Sequence, residues 1–151
     1  MRFADFHAGQ VLEAGPHVVD EASILEFARE WDPQWFHADP HAAAAGRFGG
    51  LIASGWQTCA IAMKLVVAHF LAGGESFASP GLAYVKWPAP VRPGDALRLR
   101  AVVIDVRTAQ SRPTLGILRW RWRLHNQHAI EVLDLEATSL FDLAADARHP
   151  R

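Results

Sequence analysis

Residues 56–71 have the sequence WQTCAIAMKLVVAHFL, which places apolar side chains on nearly every side of a helix. Because a helix that is apolar all round is normally buried, this stretch is predicted to be the central helix of the fold. Lys64 and His69 interrupt the apolar run, which is also too short to cross a bilayer. Gly73 and Gly74 end the helix.

The chain after this helix changes from helical to alternating periodicity. Strands are predicted over 82–87, 96–106, 115–124 and 129–141. The clearest alternation has Leu118, Trp120, Trp122 and Leu124 on one face and Ile117, Arg119, Arg121 and Arg123 on the other. A curved antiparallel sheet wrapped around one long central helix buries that helix best, so the predicted fold class is α+β. The open side of the helix and the sheet edge would then need cover, which favours a homodimer or a higher homo-oligomer.

Two shorter helices are predicted ahead of the central one. The first spans about 21–31, with Asp20 as its N-cap and Pro33 as its end. The second spans about 39–46 and begins with a capping aspartate followed by a proline. The first residues, to about Gly15, are expected to form an entry strand or coil.

Length, charge and cysteine content limit the class of protein. A chain of 151 residues is the size of one domain, so 1–151 are predicted to form a single domain with a frayed tail after about 143. The formal net charge of −1 argues against nucleic acid as a partner, because nucleic-acid-binding domains usually carry a basic surplus. The single cysteine, Cys59, excludes a disulfide-stapled secreted scaffold. The start has no apolar run behind a basic end, so a cytoplasmic protein without a membrane partner is expected.

The stretch 31–40, WDPQWFHADP, contains the first candidate catalytic residues. Pro33 forbids a continuous helix between Asp32 and His37, and a bent loop can turn both side chains into one space. A carboxylate and an imidazole form an acid/base pair suited to neutral pH. On spacing alone, the plainer alternative is favoured, in which Asp32 caps a turn and His37 is an ordinary half-exposed histidine. The rings that could exclude water from the pair belong to Trp31, Trp35 and Phe36.

A glycine-rich connection, 48–55, leads into the central helix. Free backbone N–H groups at a helix N-terminus, together with the helix dipole, suit a developing oxyanion or a phosphate. Gly55 would let a carbonyl group approach the backbone closely. The alternative is that these glycines only let the chain turn into a crowded core.

In this order, the two stretches resemble the MaoC-like dehydratases, the (R)-specific enoyl-CoA hydratase group of the hot-dog fold. The family pattern is Asp-x-Asn-Pro-x-His, then Asp-Pro, a short Ala-rich helix, a Phe-Gly loop, and Ile-x-x-Gly before the central helix. The resemblance is close over about 20–72, and the strand-rich remainder agrees with it in layout. The matching positions are Asp32, His37, Asp39-Pro40, Ala42 to Ala45, Phe48-Gly49-Gly50, Ile52 and Gly55.

Three positions depart from the family pattern while the acid/base pair is retained. Gln34 stands where the family has Asn, and Trp35 stands where it has Pro, with a proline at position 33 instead. Ser54 precedes the helix glycine, where the family often has His. These departures concern the shape of the loop and of the substrate pocket.

The resemblance implies a hydro-lyase acting on acyl thioesters, by reversible hydration of 2-enoyl-CoA to (R)-3-hydroxyacyl-CoA or a related dehydration. Adding water at C3 puts charge on the thioester oxygen, which the Gly55 N–H would hold; one such donor is worth about 3–4 kcal/mol. Asp32 would take a proton from the water and His37 would deliver one to C2. Gln34 or Ser54 would orient the water or the pair. The other expected substrate-binding residues are Trp35, Phe36 and Gly50.

The implied reaction belongs to fatty acid metabolism and needs no metal or redox cofactor, because CoA or a carrier protein enters only as part of the substrate. A metal cluster of His37, Asp39 and His41 is disfavoured, because the start of a helix splays these side chains. Two other functions stay open. A hot-dog thioesterase would use a carboxylate to activate water, although 56–71 contain no Asp or Glu. A non-catalytic acyl-thioester-binding subunit would fit the altered loop.

The three arginines of the predicted strand 115–124 suggest one further site. Arg119, Arg121 and Arg123 would share one face of this strand and would suit a CoA phosphate. An ordinary solvated strand face explains the same pattern and is favoured.

Overall fold

The computed structural model describes residues 1–144, so the tail expected after about residue 143 lies almost entirely outside the described residues. The α-helices in this range are α1 (Glu21–Trp31), α2 (Trp35–Ala38), α3 (Pro40–Ala44) and α4 (Gly55–Val66). The strands are β1 (Val11–Val18), β2 (Ser76–Lys86), β3 (Ala96–Ala109), β4 (Arg112–His125) and β5 (Glu131–Asp142). A 3-10 turn, Phe3–Asp5, precedes β1, and a π-helical segment, Val67–Leu71, extends α4.

Within residues 1–144, the strands form one antiparallel sheet in the order β1-β3-β4-β5-β2. β4 lies at its centre, where Trp120 pairs with Val103 on β3 and with Ala137 on β5. Successive side chains of a strand point to opposite faces. The alternation predicted for β4 is confirmed, because Leu118 and Leu124 are fully buried together with Trp120, while the arginines between them face the other side.

Helix α4 packs against this sheet through contacts with β1, β4 and β5. The α+β fold class and the central position of this helix are therefore confirmed. The sheet covers only one side of the helix, which agrees with the open helix side expected from the sequence. Trp56, Met63 and Val67 are 60%, 45% and 39% exposed on the other side. None of the helices in residues 1–144 is long and apolar enough to span a membrane.

Strand β2 begins at Ser76 rather than near residue 82. The sequence did not predict the first half of β2, because residues 79–81 are typical of turns. The register of β2 against β5 shifts between Ala78 and Gly81. Because β2 is an edge strand, the proline within it is tolerated, since its missing N–H can face away from the sheet. The first half of β2 therefore combines strand pairing with irregular register.

The chain turns sharply between α1 and α2. Pro33 ends α1 as predicted, with Asp32 as the C-cap residue. Irregular chain was expected from Pro33 to His37, but only its first part is irregular. Gln34 is the N-cap of a single helical turn, α2, and this turn carries His37. Asp39 then caps α3 as predicted, by accepting two backbone N–H bonds at 3.0 Å.

We expect Val103→Ala to lower the free energy of unfolding by about 2 kcal/mol, because Val103 is 1% exposed and its truncation leaves a cavity. Val18→Ala is the matched control and should cost less than about 1 kcal/mol, since Val18 is 61% exposed at the end of β1. Urea denaturation followed by circular dichroism measures both changes. Equal losses would contradict the assignment of Val103 to the core.

Candidate active site

A carboxylate and a serine hydroxyl meet where the end of α1 approaches the start of α4. Gln34 Nε2 donates to Asp32 Oδ1 at 2.8 Å, and Ser54 Oγ donates to Asp32 Oδ2 at 2.7 Å. Ser54 is fully buried and is the N-cap of α4, where its Oγ accepts a hydrogen bond from the Trp56 N–H at 3.3 Å. One hydroxyl therefore holds both the carboxylate and the first turn of α4.

His37 lies beside this carboxylate and is 6% exposed. Its Nδ1 lies 2.7 Å from the carbonyl oxygen of Ile52. Because a carbonyl oxygen only accepts, Nδ1 carries a proton, and Nε2 is the ring nitrogen whose proton can be gained and lost. Nε2 lies 3.4 Å from Asp32 Oδ2. The pair therefore presents one ring nitrogen and one carboxylate oxygen to the same space.

The surroundings of Asp32 set the protonation state of its carboxyl group. Burial has the largest single effect and would raise the pKa of Asp32. The hydrogen bonds from Ser54 and Gln34, with the nearby His37, act in the opposite direction and together outweigh burial. The pKa of Asp32 therefore lies below the ordinary value of an aspartic acid, and at neutral pH the group is a carboxylate that can accept a proton.

Gly55 is the first residue of α4. The N–H at this position has no acceptor within the helix, and it points out of the helix at the positive end of the dipole. The Trp87 indole lies against Gly55, where a Cβ would stand only 2.5 Å from Trp87 Cε2. Trp87 Nε1 also donates to the Gly55 carbonyl oxygen at 2.9 Å. The packing of the indole therefore favours glycine at this position.

A cavity of about 370 Å³ joins these groups, and Asp32, His37 and Gly55 all line it. Thr58 also lines it, and most of the remaining wall is apolar. A concave, mostly apolar site with a few convergent polar groups is typical of small-molecule binding. The apolar wall comes chiefly from Phe48, Ile52, Trp56, Trp87, Val91 and Val132.

These groups together can add water to a polarised double bond or remove it. The carboxylate can take a proton, the imidazole can supply one, and the backbone N–H can hold a developing oxyanion. Among residues 1–144, no group of three or more His, Cys, Asp and Glu side chains is placed to hold a metal ion. The Asp39 carboxylate instead caps α3.

Residues 4–116 match the protein family described as MaoC like domain. The chain belongs to the MaoC-like family. The resemblance seen over 20–72 is thereby confirmed, and the match continues into β4.

Three known proteins illustrate this MaoC-like relationship. The uncharacterized protein YdeM of Bacillus subtilis (strain 168) is 35% identical over 140 residues, which are 93% of this chain and 98% of YdeM. The crystal structure of the MaoC-like dehydratase from Rhodospirillum rubrum superimposes with a TM-score of 0.85 at 36% identity, covering 94% of this chain and 97% of that one. The 3-hydroxyacyl-thioester dehydratase Z of Mycobacterium tuberculosis (strain ATCC 25618 / H37Rv) is 40% identical over 76 residues, which are 50% of each protein.

A more distant structure identifies the type of fold. A Mycobacterium tuberculosis protein with a double hot-dog fold matches 94% of this chain and 44% of its own, with a TM-score of 0.78 at 20% identity. The MaoC-like chain therefore has the hot-dog fold expected from the sequence.

The predicted site residues divide into three groups in the structure. Asp32, His37 and Gly55 meet at the cavity. Gln34 and Ser54 bind the Asp32 carboxylate and lie outside the described cavity lining, so they position the carboxylate.

The other three predicted substrate-binding residues also lie outside the described lining. Because residues two apart on a helical turn face different sides, α2 turns Trp35 away from His37; the Trp35 ring is 50% exposed and fills the space beside Gly46. The Phe36 ring packs 4.3 Å from that of His37. Gly50 faces Arg92 rather than the cavity. All three lie outside the cavity wall, and their contact with a substrate stays a prediction from the sequence.

Sequence reasoning missed Trp56, Trp87 and Val132 as cavity residues. Trp87 follows β2 directly and precedes a proline-rich turn, and this position is the one signal that could have marked it. Its contact with Gly55 arises from tertiary packing, which no local pattern encodes. Arg92 was missed too: its Nη2 donates to the Phe48 carbonyl oxygen at 2.8 Å, which joins this turn to the glycine-rich connection.

The arginines of β4 have carboxylate partners on β5. The distances are 3.7 Å for Arg119–Glu136, 2.8 Å for Arg121–Asp134 and 3.8 Å for Arg123–Glu131. Because each guanidinium is already paired, the structure favours a solvated strand face over a CoA phosphate site.

We expect Ser54→Ala to raise the pKa of Asp32 above its wild-type value, because the variant loses a donor that stabilises the carboxylate. A depressed carboxyl pKa stabilises the fold above the unfolded pKa of about 4 and ceases to do so as pH falls through the folded value. The stability deficit of Ser54→Ala from this source should therefore shrink below about pH 4. Carboxyl carbon NMR titration measures the pKa, with Ser79→Ala as the control. An unchanged pKa in Ser54→Ala would contradict the coupling.

Proposed function

We propose that this protein is a hydro-lyase that adds water to 2-enoyl thioesters, giving (R)-3-hydroxyacyl thioesters, and catalyses the reverse dehydration. One observation carries the proposal. The Nε2 atom of His37 lies 3.4 Å from Asp32 Oδ2. Both residues line a cavity that Gly55, the first residue of α4, also lines. Membership of the MaoC-like family and similarity to a 3-hydroxyacyl-thioester dehydratase support it.

The proton balance of hydration fits this pair. Asp32 accepts a proton from the attacking water as the oxygen bonds to C3, and the imidazolium of His37 delivers its Nε2 proton to C2. The negative charge that develops on the thioester oxygen is held by the Gly55 N–H. Hydration thus converts a carboxylate and an imidazolium into a carboxylic acid and a neutral imidazole. Transfer of the proton from Asp32 to His37 restores the pair.

The low pKa of Asp32 favours the protonation state that hydration requires. The hydrogen bonds from Ser54 and Gln34 favour the carboxylate, which is the form that accepts the water proton. The Nδ1 bond to Ile52 fixes the ring of His37 in both protonation states. No step calls for a metal or redox group, since each bond change is a proton transfer or a C–O bond change.

We expect Asp32→Asn and His37→Gln each to lower kcat for hydration of crotonyl-CoA by at least about hundredfold, the usual scale of acid/base catalysis. Loss of the conjugated absorbance measures the reaction. His41→Gln, on the exposed side of α3, and Asp105→Asn, on β3, are the controls and should retain activity. Near wild-type turnover in either site variant would remove the pair from the mechanism.

The same assay separates the alternative functions. Release of free thiol from crotonyl-CoA, without prior loss of the conjugated absorbance, would show a thioesterase. Unchanged crotonyl-CoA with measurable binding would show a non-catalytic acyl-thioester-binding subunit. The delivery of the acyl group by CoA or by a carrier protein, the cytoplasmic location and the role in fatty acid metabolism stay predictions from the sequence.

We also propose that the protein is a homodimer joined along β2. This edge strand is exposed over most of its length, with Phe77 at 58% and Leu82 at 45% exposure, and the apolar Met63 and Val67 of α4 are exposed as well. Antiparallel pairing of two β2 edges about a two-fold axis would cover these groups.

We expect Leu82→Lys to shift the protein from dimer to monomer, because a charge would then be buried in the interface. Light scattering after size-exclusion chromatography measures the mass. Val11→Lys, on the opposite edge strand β1, is the control and should leave a dimer. A monomeric wild-type protein would contradict this part of the proposal.

A further inference from the structure

The guanidinium of Arg92 lies beside the outer edge of the catalytic cavity. Val91, the residue before Arg92, and Phe48 both line this cavity. Arg92 Nη2 donates to the Phe48 carbonyl oxygen at 2.8 Å. Phe48 is itself 40% exposed, and Arg92 is exposed as well. A positive charge therefore lies at the rim of the cavity, in contact with solvent.

The turn that carries Arg92 is held in place by the backbone. The Arg92 N–H donates to Asp95 Oδ2 at 2.9 Å, and the Asp95 N–H donates to the Arg92 carbonyl oxygen at 3.0 Å. The Val91 carbonyl oxygen accepts from the Ala53 N–H at 2.8 Å, which ties the turn to the segment that leads into α4. Because the backbone of Arg92 and its Nη2 atom are both fixed, a ligand would meet a cation that is already ordered, and ordering costs less binding energy.

The guanidinium has hydrogen-bonding capacity to spare. An arginine side chain carries five N–H donors. Among residues 1–144, the acceptor that this side chain contacts is the Phe48 carbonyl oxygen, and no carboxylate lies within ion-pair distance of it. The neighbouring Asp95 carboxylate accepts instead from the Arg92 backbone and from Gln127 Nε2. A guanidinium with free donors suits bidentate binding of a phosphate group.

We propose that Arg92 binds the phosphate ester at the end of the pantetheine arm of the thioester substrate. The proposal rests on the proposed action on acyl thioesters. In CoA and in the prosthetic group of a carrier protein, a flexible and uncharged pantetheine arm separates the thioester from this phosphate. Because a phosphate is costly to bury among apolar side chains, it stays at the rim while the thioester lies beside Gly55. The exposed guanidinium is the cation that meets it there.

The test compares crotonyl-phosphopantetheine with crotonyl-pantetheine, which differ by one phosphate group, in the full-length protein. In wild type, kcat/KM should be higher for the phosphorylated substrate by at least about tenfold, the scale of one charge-assisted hydrogen bond. Arg92→Gln should reduce this ratio to within about threefold of one, since the charge and the fork are both lost. The loss should appear in KM, because the phosphate takes no part in the reaction. A displaced Phe48 would affect both substrates and cancel in the ratio.

Arg112→Gln is the charge-matched control. Arg112 is exposed and pairs with Ala109 at the end of β3, whereas Arg92 precedes the start of β3. The length of this strand separates the two arginines, so the control should keep the wild-type ratio to within about threefold. Arg92→Lys, which retains the charge without the fork, should lower the ratio less than Arg92→Gln.

Thermal melting checks that each variant is folded, and Arg92→Met replaces Arg92→Gln if the latter does not fold. An unchanged ratio in the folded Arg92 variant would overturn the proposal. An equal fall in Arg112→Gln would do the same, because it would show a general effect of charge rather than a contact at the rim.

A third substrate, crotonyl-CoA, separates the two sources of this phosphate. A wild-type kcat/KM for crotonyl-CoA at least about tenfold above that for crotonyl-phosphopantetheine would support CoA as the carrier, since the nucleotide would then be recognised too. Equal values would support a carrier protein. Both results require the loss in Arg92→Gln with crotonyl-phosphopantetheine. A loss with crotonyl-CoA alone would place the contact at the nucleotide and overturn the assignment.

A binding measurement separates this proposal from the proposed reaction. Calorimetric titration with butyryl-phosphopantetheine and butyryl-pantetheine, which have no double bond to hydrate, gives the same comparison as a ratio of Kd values. A reduced Kd ratio in Arg92→Gln together with absent hydration in wild type would overturn the reaction and keep the phosphate contact. Normal hydration with an unchanged Kd ratio would overturn the phosphate contact alone.

Discussion

The hydrogen bond from Ser54 to Asp32 is the interaction on which the site depends. It joins the end of α1 to the first turn of α4, two segments that are separated in sequence by two short helices and a glycine-rich connection. Because the same Ser54 oxygen accepts from the Trp56 N–H, the hydroxyl is oriented and its proton is directed to the carboxylate. The position of the Gly55 N–H is thereby tied to the position of the Asp32 carboxylate.

The rest of the fold serves to hold the first turn of α4 in place. Buried Leu65 and Val66 anchor the far end of α4 in the core, and the full burial of Trp120 and Leu118 fixes β4 at the centre of the sheet that α4 contacts. The substituted loop is compatible with this frame. Gln34, which stands where the family has Asn, still donates to Asp32.

Sequence patterns predicted those features whose causes are local. The apolar run 56–71 predicted the central helix, and Pro33 predicted the end of α1. The alternation around Trp120 predicted the central strand. The proximity of Asp32 and His37 was expected from the family resemblance, because spacing alone favoured the plainer alternative. Local pattern could not show that α2 is helical, and so it could not show that Trp35 faces away from His37.

Features that depend on distant packing escaped prediction. Trp87 and Gly55 are 32 positions apart in the chain, and the sequence around neither residue indicates that they are in contact. The position of Trp56 and Met63 on the open side of α4 was not predicted for a related reason, since composition shows that a helix is apolar but not which of its residues the sheet covers. The first half of β2 was likewise not predicted, because it contains turn-forming residues and is stabilised by pairing with β5.

The paired arginines of β4 bear on how a charged substrate would reach the protein. A CoA thioester is an anion, and unpaired cations on a nearby face would draw it in from a distance. Here the outer face of the sheet alternates guanidinium and carboxylate groups in contact with one another, and the chain as a whole has a formal charge of −1. These three arginines would thus give the proposed acyl-thioester substrate little long-range attraction, so their contribution to its rate of encounter should vary only weakly with ionic strength.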